Sequence, residues 1–230
     1  SGILTKPGPD PCRGARAGIK PAVQDEHAEE NDLSGQDQPM PGKPALNHPA
    51  LGVMGGTFDP IHLAHLRLAE ELADHLGLAT VRFIPAGQPP HRAAPVTPAQ
   101  HRLAMARLAV AGNPRFEIDA REIERAGPSY TVDTLAGIRA EIGPARPLWL
   151  LLGADAFLGL TRWHEWPRLF ELANIAVAAR PGAGVLTPAT LPPELREAAE
   201  TRQEWDNTPA GALRLLPMTP LAVASTDLRA

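Results

Sequence analysis

Leu51-Gly52-Val53-Met54-Gly55-Gly56-Thr57-Phe58-Asp59-Pro60-Ile61-His62-Leu63-Ala64-His65-Leu66 is the stretch on which the fold turns. The apolar run Leu51 to Met54 ends on a glycine pair, as a buried strand does. Beyond it, Leu63, Leu66, Leu68, Ala69, Leu72, Ala73 and Leu76 fall on one helical stripe that closes at Gly77, a residue suited to a C-terminal stop. A second apolar run, Val81 to Ile84, stops before Pro85. Strand, glycine turn, helix and strand together make a βαβ unit. In an open α/β sheet, ligands bind outside the carboxyl ends of the strands, where Gly55 and Gly56 lie. Two glycines let backbone amides approach an anion closely, and the helix behind them aims its positive end at the same spot. Phosphate is the natural guest. His62 and His65, three apart at the helix start, share one face. They could stabilise charge developing on a phosphoryl group and its leaving group. Two other readings of the same residues stay open. One is a tight turn followed by capping or core histidines. The other is a metal on the histidine pair, against which stands the lack of a carboxylate at ligand spacing on that face.

Outward from this unit the alternation continues. The pattern predicts a helix over about 98–111, a strand over 116–119, a helix over 131–142 and a strongly apolar strand over 148–152. Two short helices near Phe157 and Leu169 follow, then a strand over 175–179, a helix over 193–201 and a last strand over 213–216. The expected fold class is α/β, a doubly wound parallel sheet covered by helices on both faces. The weakest pattern lies between Pro181 and Pro209, which is rich in Pro and Thr.

The chain has 230 residues, 43% hydrophobic and 21% charged, enough for a sizeable core in one domain with an appendage. Residues 1–49 stand apart: eight prolines, no aromatic residue and few branched aliphatics, with acidic and amide residues from Gln24 to Gln38. Such a segment buries too little to offset its ordering entropy. A flexible, disordered arm over 1–48 and a domain over 49–230 are expected. The alternative is an arm that folds on a partner. A formal charge of −4 gives no general field for nucleic acid or an anionic membrane, so any phosphate site is local. The single cysteine, Cys12, permits no intrachain disulfide and fits a reducing cytoplasm. The longest apolar stretch, around Leu148 to Leu160, is broken by Asp155 and too short to span a bilayer. No signal peptide pattern is seen at the start.

The glycine turn is neither a Walker loop, lacking the Lys-Ser/Thr ending, nor a Gly-x-Gly-x-x-Gly dinucleotide fingerprint. It resembles the signature of the nucleotidyltransferase superfamily, in which a Gly-rich turn, an aspartate and a His-x-Gly-His element bind ATP or CTP. Here Ala64 stands at the glycine of that element. Further segments are Pro89-Pro90-His91-Arg92, Gly127-Pro128-Ser129-Tyr130-Thr131-Val132-Asp133-Thr134-Leu135 and Leu152-Gly153-Ala154-Asp155-Ala156-Phe157. Trp163-His164-Glu165-Trp166 and Ala179-Arg180-Pro181-Gly182 follow. In this order and spacing they resemble the bacterial nicotinate-nucleotide adenylyltransferases, from about Leu51 to Arg229. Val223-Ala224-Ser225-Thr226-Asp227-Leu228-Arg229 resembles the family's Ile-Ser-x-Thr-x-Ile-Arg motif, with Ala224 for the first serine.

The resemblance implies a Rossmann-like nucleotidyltransferase fold and transfer of AMP from ATP to nicotinate mononucleotide, with Mg²⁺ on the triphosphate. It also implies that the chain continues past Ala230 with further helical sequence. Its implied catalytic set is His62, His65, Arg92 and Arg229. Gly55, Gly56, Thr57, Phe58, His62, His65, Gly153, Asp155, Ser225, Thr226 and Arg229 would bind ATP. Asp59, His91, Arg92, Tyr130, Thr131, Trp163 and His164 would bind the mononucleotide. No protein-held metal, nucleic acid or membrane partner is expected. The residues have readings of their own. His91 and Arg92 occupy a Pro-fixed loop, where arginine's planar fork suits phosphate and a solvated loop pair is the alternative. Asp155 could accept from ribose hydroxyls or cap the short helix after it. Thr131 opens a helix, so its amide can meet a carboxylate or simply be capped. Trp163 can stack on an aromatic ring, whereas Trp166 is assigned to the core. Another adenylyl- or cytidylyltransferase of the same fold, such as a pantetheine-phosphate adenylyltransferase, and a non-catalytic nucleotide sensor are the rival functions.

Overall fold

The computed structural model describes residues 49–90, 95–179, 186, 188–202, 208–218 and 228. Short apolar runs become strands in it: β1 (Leu51–Gly56), β2 (Thr80–Pro85), β3 (Phe116–Ile118), β4 (Leu148–Gly153), β5 (Asn174–Ala179) and β6 (Leu213–Pro217). Between them lie α1 (Leu63–Leu76), α2 (Ala99–Val110), α3 (Arg121–Glu124), α4 (Thr131–Ile142), α5 (Ala154–Leu158), α6 (Leu169–Leu172) and α7 (Pro193–Thr201). Short 3₁₀ turns occupy Leu160–Arg162, Trp166–Arg168 and Pro188–Thr190. The strands form one sheet in the order β3-β2-β1-β4-β5-β6. Every pairing is parallel; Leu51 faces Thr80 on one side and Leu148 on the other. This is the expected α/β doubly wound sheet. Its order reverses between β1 and β4, and the crevice outside the carboxyl ends at such a reversal is where ligands bind.

Side chains alternate across the sheet and build two cores. Val53, Leu148, Leu150, Leu152, Ile175 and Val177 pack with Leu135, Ile138, Phe157 and Leu195 on one face. Met54, Val81, Phe83, Trp149, Leu151 and Ala176 pack with Ala69, Leu72 and Ala106 on the other. Burial on both faces explains why these strands read as continuous apolar runs. Each fully buried Leu or Ile removed from water contributes about 1.5–3 kcal/mol.

Helix α1 buries Ala69, Leu72, Ala73 and Leu76 from the predicted stripe. Leu63, at its first turn, is 68% exposed, so the stripe meets the core only after that turn. Gly77 ends the helix in the left-handed conformation at φ 64°, with its N–H and that of Leu78 closing onto Asp74 and Ala73 carbonyls. A side chain other than glycine would be strained there. The pattern missed α3, a single turn of four residues and too short to show a period. Arg139 of α4 donates to the carbonyls of Leu172, Gly143, Arg146 and Pro209, which fastens α4 and α6 to the entry of β6. Among the described residues no helix is long and apolar enough to cross a membrane. The arm expected over 1–48 lies outside the described residues.

Candidate active site

The glycine turn leaves β1 at the sheet reversal and reaches α1 within a few residues. Gly55 is exposed and Gly56 half-buried. A Cβ on Gly56 would lie 2.7 Å from the Phe58 ring, so the turn is compact at this point. Phe58 adopts φ 47°, an unusual value for a bulky residue, which costs about 1–2 kcal/mol. Its ring repays this by burial: it lies edge-on to His65 at 5.1 Å and packs against Phe83. Phe58 therefore offers the site backbone, with its side chain in the core.

His62 is the extended residue that precedes α1. Its backbone N–H donates to His65 Nδ1 at 3.2 Å, and the two rings lie 3.8 Å apart between centroids. A neutral imidazole whose Nδ1 accepts must carry its proton on Nε2. His65 is thus fixed as an Nε2–H donor beside the positive end of a 14-residue helix. Capping and phosphate binding are compatible in this arrangement, because one ring nitrogen serves each. Ala64 lies inside α1, where its methyl raises helix propensity by about 1 kcal/mol over glycine.

Behind the turn sits Arg102, which the sequence reading did not single out. It is 1% exposed. Its guanidinium donates to the carbonyls of Thr57 (2.5 Å), Ala86 (2.6 Å), Gly87 (3.4 Å) and Thr97 (3.2 Å). Four carbonyls from the segments after β1, after β2 and before α2 are thereby held by one planar fork. Burial lowers its pKa, and the nearby Asp59 carboxylate opposes that. Asp59 is itself 6% exposed and accepts from the N–H groups of Val96 and Thr97 at 3.1 and 3.4 Å. The signal available in the sequence was a charged residue on the buried face of a helix.

A second cluster forms where α4 begins. Tyr130 precedes the helix and Thr131 is its first residue. The Tyr130 ring lies 4.4 Å from that of His164, with 35° between planes. This brings the Tyr130-Thr131 segment next to the Trp163-His164 segment. Trp163 and Trp166 are both half-buried and pack against the same core. Ser129 is buried, and its hydroxyl receives the N–H groups of Gly87 and Gln88 at 3.0 and 3.1 Å. Those residues lead into His91 and Arg92.

Gly153 ends β4 and caps α5 in extended geometry, so Asp155 is an exposed first-turn residue rather than the cap. A Cβ on Gly153 would meet Leu68 of α1 at 3.9 Å, which sets this strand end beside α1. His91, Arg92, Ser225, Thr226 and Arg229 lie outside the described residues. Among the described residues no group of three or more His, Cys, Asp or Glu is arranged to hold a metal ion. The imidazole N–H of His65 and the start of α1 are donors, and donors suit phosphate oxygens.

Comparison with known proteins agrees with this geometry. The family model "Cytidylyltransferase-like" matches residues 53–229. A protein of Dechloromonas aromatica described as a probable nicotinate-nucleotide adenylyltransferase is 52% identical over 184 residues, 78% of this chain and 84% of that one. One of Chromobacterium violaceum with the same description is 50% identical over 184 residues, 78% and 85% of the two chains. Plasmodium falciparum nicotinic acid mononucleotide adenylyltransferase complexed with NaAD superposes with a TM-score of 0.58 at 17% identity, over 79% of this chain and 83% of that one, and shares the fold. With the glycine turn, the histidine pair and the Tyr130–His164 cluster at one sheet edge, this chain belongs to the cytidylyltransferase-like family and, within it, to the nicotinate-nucleotide adenylyltransferases.

Proposed function

We propose that this chain joins nicotinate mononucleotide to the AMP of ATP, releasing pyrophosphate and forming deamido-NAD in NAD biosynthesis, with the two clusters described above as its two substrate ends. The observation that carries this reading is the fixed Nε2–H of His65 at the start of α1, on the same sheet edge as the stacked Tyr130 and His164. A phosphate oxygen of the mononucleotide attacks the α-phosphorus of ATP in line. The new P–O bond forms as the bond to pyrophosphate breaks, and both electrons of the broken bond leave with pyrophosphate. No covalent enzyme intermediate is needed, so catalysis rests on positioning and on donors aimed at developing charge.

In this reading the amides of Gly55, Gly56, Thr57 and Phe58, with His62 and His65, receive the ATP phosphates, and Gly153 and Asp155 meet the adenosine. Tyr130, Thr131, Trp163 and His164 receive the nicotinate ring and its carboxylate. Asp59 acts at the mononucleotide end through the Val96-Thr97 turn that it holds. His91, Arg92, Ser225, Thr226 and Arg229 are assigned here on sequence alone. Mg²⁺ enters on the triphosphate as part of the substrate and supplies charge neutralisation there. A cytoplasmic setting belongs to the same proposal and rests on the single cysteine.

The test is pyrophosphate release with a panel of acceptors. Release that needs ATP, Mg²⁺ and nicotinate mononucleotide together is expected. Phosphopantetheine as the sole active acceptor, or ATP binding with no turnover on any acceptor, would overturn the proposal.

A further inference from the structure

A buried carboxylate lies between the second cluster and the loop after β2. Glu122 of α3 is 7% exposed, and neither its position nor its residue type is explained by the chemistry above. Its Oε1 accepts from the Thr134 hydroxyl at 2.6 Å, and the neighbouring Ser129 hydroxyl favours its charged form. Ser129 in turn accepts the N–H groups of Gly87 and Gln88, and its own N–H donates to the Gln88 carbonyl at 2.9 Å. A hydroxyl has one proton and two acceptor sites. In Ser129 the Gly87 and Gln88 N–H groups take both acceptor sites, which turns its proton away from them and toward the Glu122 side.

The same short segment is held from two further sides. A Cβ on Gly87 would fall 2.1 Å from the Glu122 carbonyl oxygen, so the loop lies directly on the α3 backbone and only glycine fits. Arg102 holds the carbonyls of Ala86 and Gly87. Ser129 and Thr134 flank Tyr130 and Thr131 in sequence, one on each side. A carboxylate in this place is costly, since burial penalises its charge and an apolar residue would fill the space more cheaply. Its return is geometric: one group fixes two chain segments that a neutral residue would leave to rotate.

We propose that Glu122 is a positioning residue for the mononucleotide end of the site, acting through Ser129 and Thr134 to hold the Gly87-Gln88 backbone and the Tyr130-Thr131 amides in one frame. This rests on the assignment of that end to nicotinate mononucleotide. It makes recognition of the nicotinate carboxylate depend on a residue that touches no substrate. A displacement of about 1 Å in such a frame is enough to cost roughly a hundredfold in rate.

The test uses Glu122→Gln, Thr134→Val and Thr134→Ser in the full chain. Steady-state pyrophosphate release is measured against each substrate with the other saturating. Amide hydrogen exchange is followed at Gly87 and Gln88, whose N–H groups donate to Ser129. Glu122→Gln should raise KM for nicotinate mononucleotide at least roughly tenfold, leave KM for ATP within about twofold, and lower the preference over nicotinamide mononucleotide. Exchange at these two amides should speed up by at least roughly tenfold, because glutamine offers the two hydroxyls one acceptor oxygen in place of two. Thr134→Val should shift the same quantities in the same direction by less, and Thr134→Ser, which keeps the hydroxyl, should match the wild type. If Glu122→Gln does not fold, the two Thr134 variants decide alone. Equal rises in both KM values, unchanged exchange, or a Thr134→Ser variant that behaves like Thr134→Val would overturn the proposal. A wild type inactive on nicotinate mononucleotide would instead overturn the assigned function, and the exchange rates would still decide whether Glu122 couples the two segments.

Discussion

At His65 two demands meet on one ring. Nδ1 accepts the His62 N–H, which sets the proton on Nε2, and the proposed reaction aims that N–H at phosphate. The two roles separate in variants. His65→Ala should lower kcat by at least roughly a hundredfold, as removal of a donor to developing charge does. His65→Asn keeps an acceptor near the place of Nδ1 and lacks the Nε2 donor, so it should retain the wild-type melting temperature and the same loss in kcat. Full activity in the asparagine variant would reduce His65 to a cap. Glu122 gives a prediction in pH. Burial pushes its carboxyl above the ordinary glutamate range, against the hydrogen bonds from Thr134 and Ser129 and the charge of Arg125. With the folded pKa raised, the folded state holds more protons than the unfolded state between the two values. Stability is then greatest below the unfolded pKa, about 4.3, and falls as pH rises through the folded one. Glu122→Gln abolishes this fall. In urea titrations, wild-type stability minus that of the variant should decrease from acid toward neutral pH. A difference that grows with pH would show a carboxylate whose pKa is lowered on folding.

At the scale of elements, Arg102 joins the segments after β1 and β2 to the start of α2. Arg102→Met would leave the carbonyls of Thr57, Ala86 and Thr97 without this donor, at about 1–3 kcal/mol for each one that stays dry. A loss of at least about 3 kcal/mol in denaturant unfolding is expected, with a rise in KM for ATP. Arg102→Lys should recover only part of either, since an ammonium cannot present a planar fork to carbonyls on three segments. A lysine variant equal to the wild type would mean that charge alone is required. This residue also marks how far the sequence was legible. Strands β1, β2 and β4 could be read as apolar runs buried on both faces, and helices α1, α2 and α4 because each is long enough for several turns between such runs. The glycine turn could be read because its chemistry is local. Arg102, Ser129, Glu122 and Thr134 act mostly through contacts 12 to 45 residues away, and no local pattern carries such pairings. Helix α3 was missed for its length, and Tyr130 could be tied to His164 only by resemblance.

At the scale of the molecule, the sheet order explains why residues from Gly55 to His164 converge. Every strand is parallel, so each loop that follows one opens on the same edge. The turn after β1, the loop after β2, the start of α4 and the segment after β4 all meet that edge, and the proposed site is built from them. The six strands make both sheet faces core, which leaves the carboxyl edge for chemistry.

The extent of this body predicts the result of shortening the chain. The first described residues are Pro49, whose carbonyl accepts from Arg146 Nε at 2.8 Å, and Ala50, which is 3% exposed and whose carbonyl accepts from the Ala79 N–H at 3.2 Å. Leu51 then enters β1, its N–H on the Pro147 carbonyl at 3.0 Å. The composition of residues 1–48, without aromatics and with few branched aliphatics, predicts that they add little to any core. Deletion of 1–48 should therefore leave kcat, both KM values and the melting temperature nearly unchanged. Deletion of 1–50 removes two accepting carbonyls and one buried methyl, worth together about 2–3 kcal/mol. For a body of this size that lowers the melting temperature by roughly 4–10 °C. The boundary should thus be sharp within two residues, and thermal melts of the two truncations read it directly. If the shorter deletion already costs as much as the longer one, residues 1–48 dock on the domain and the composition argument fails.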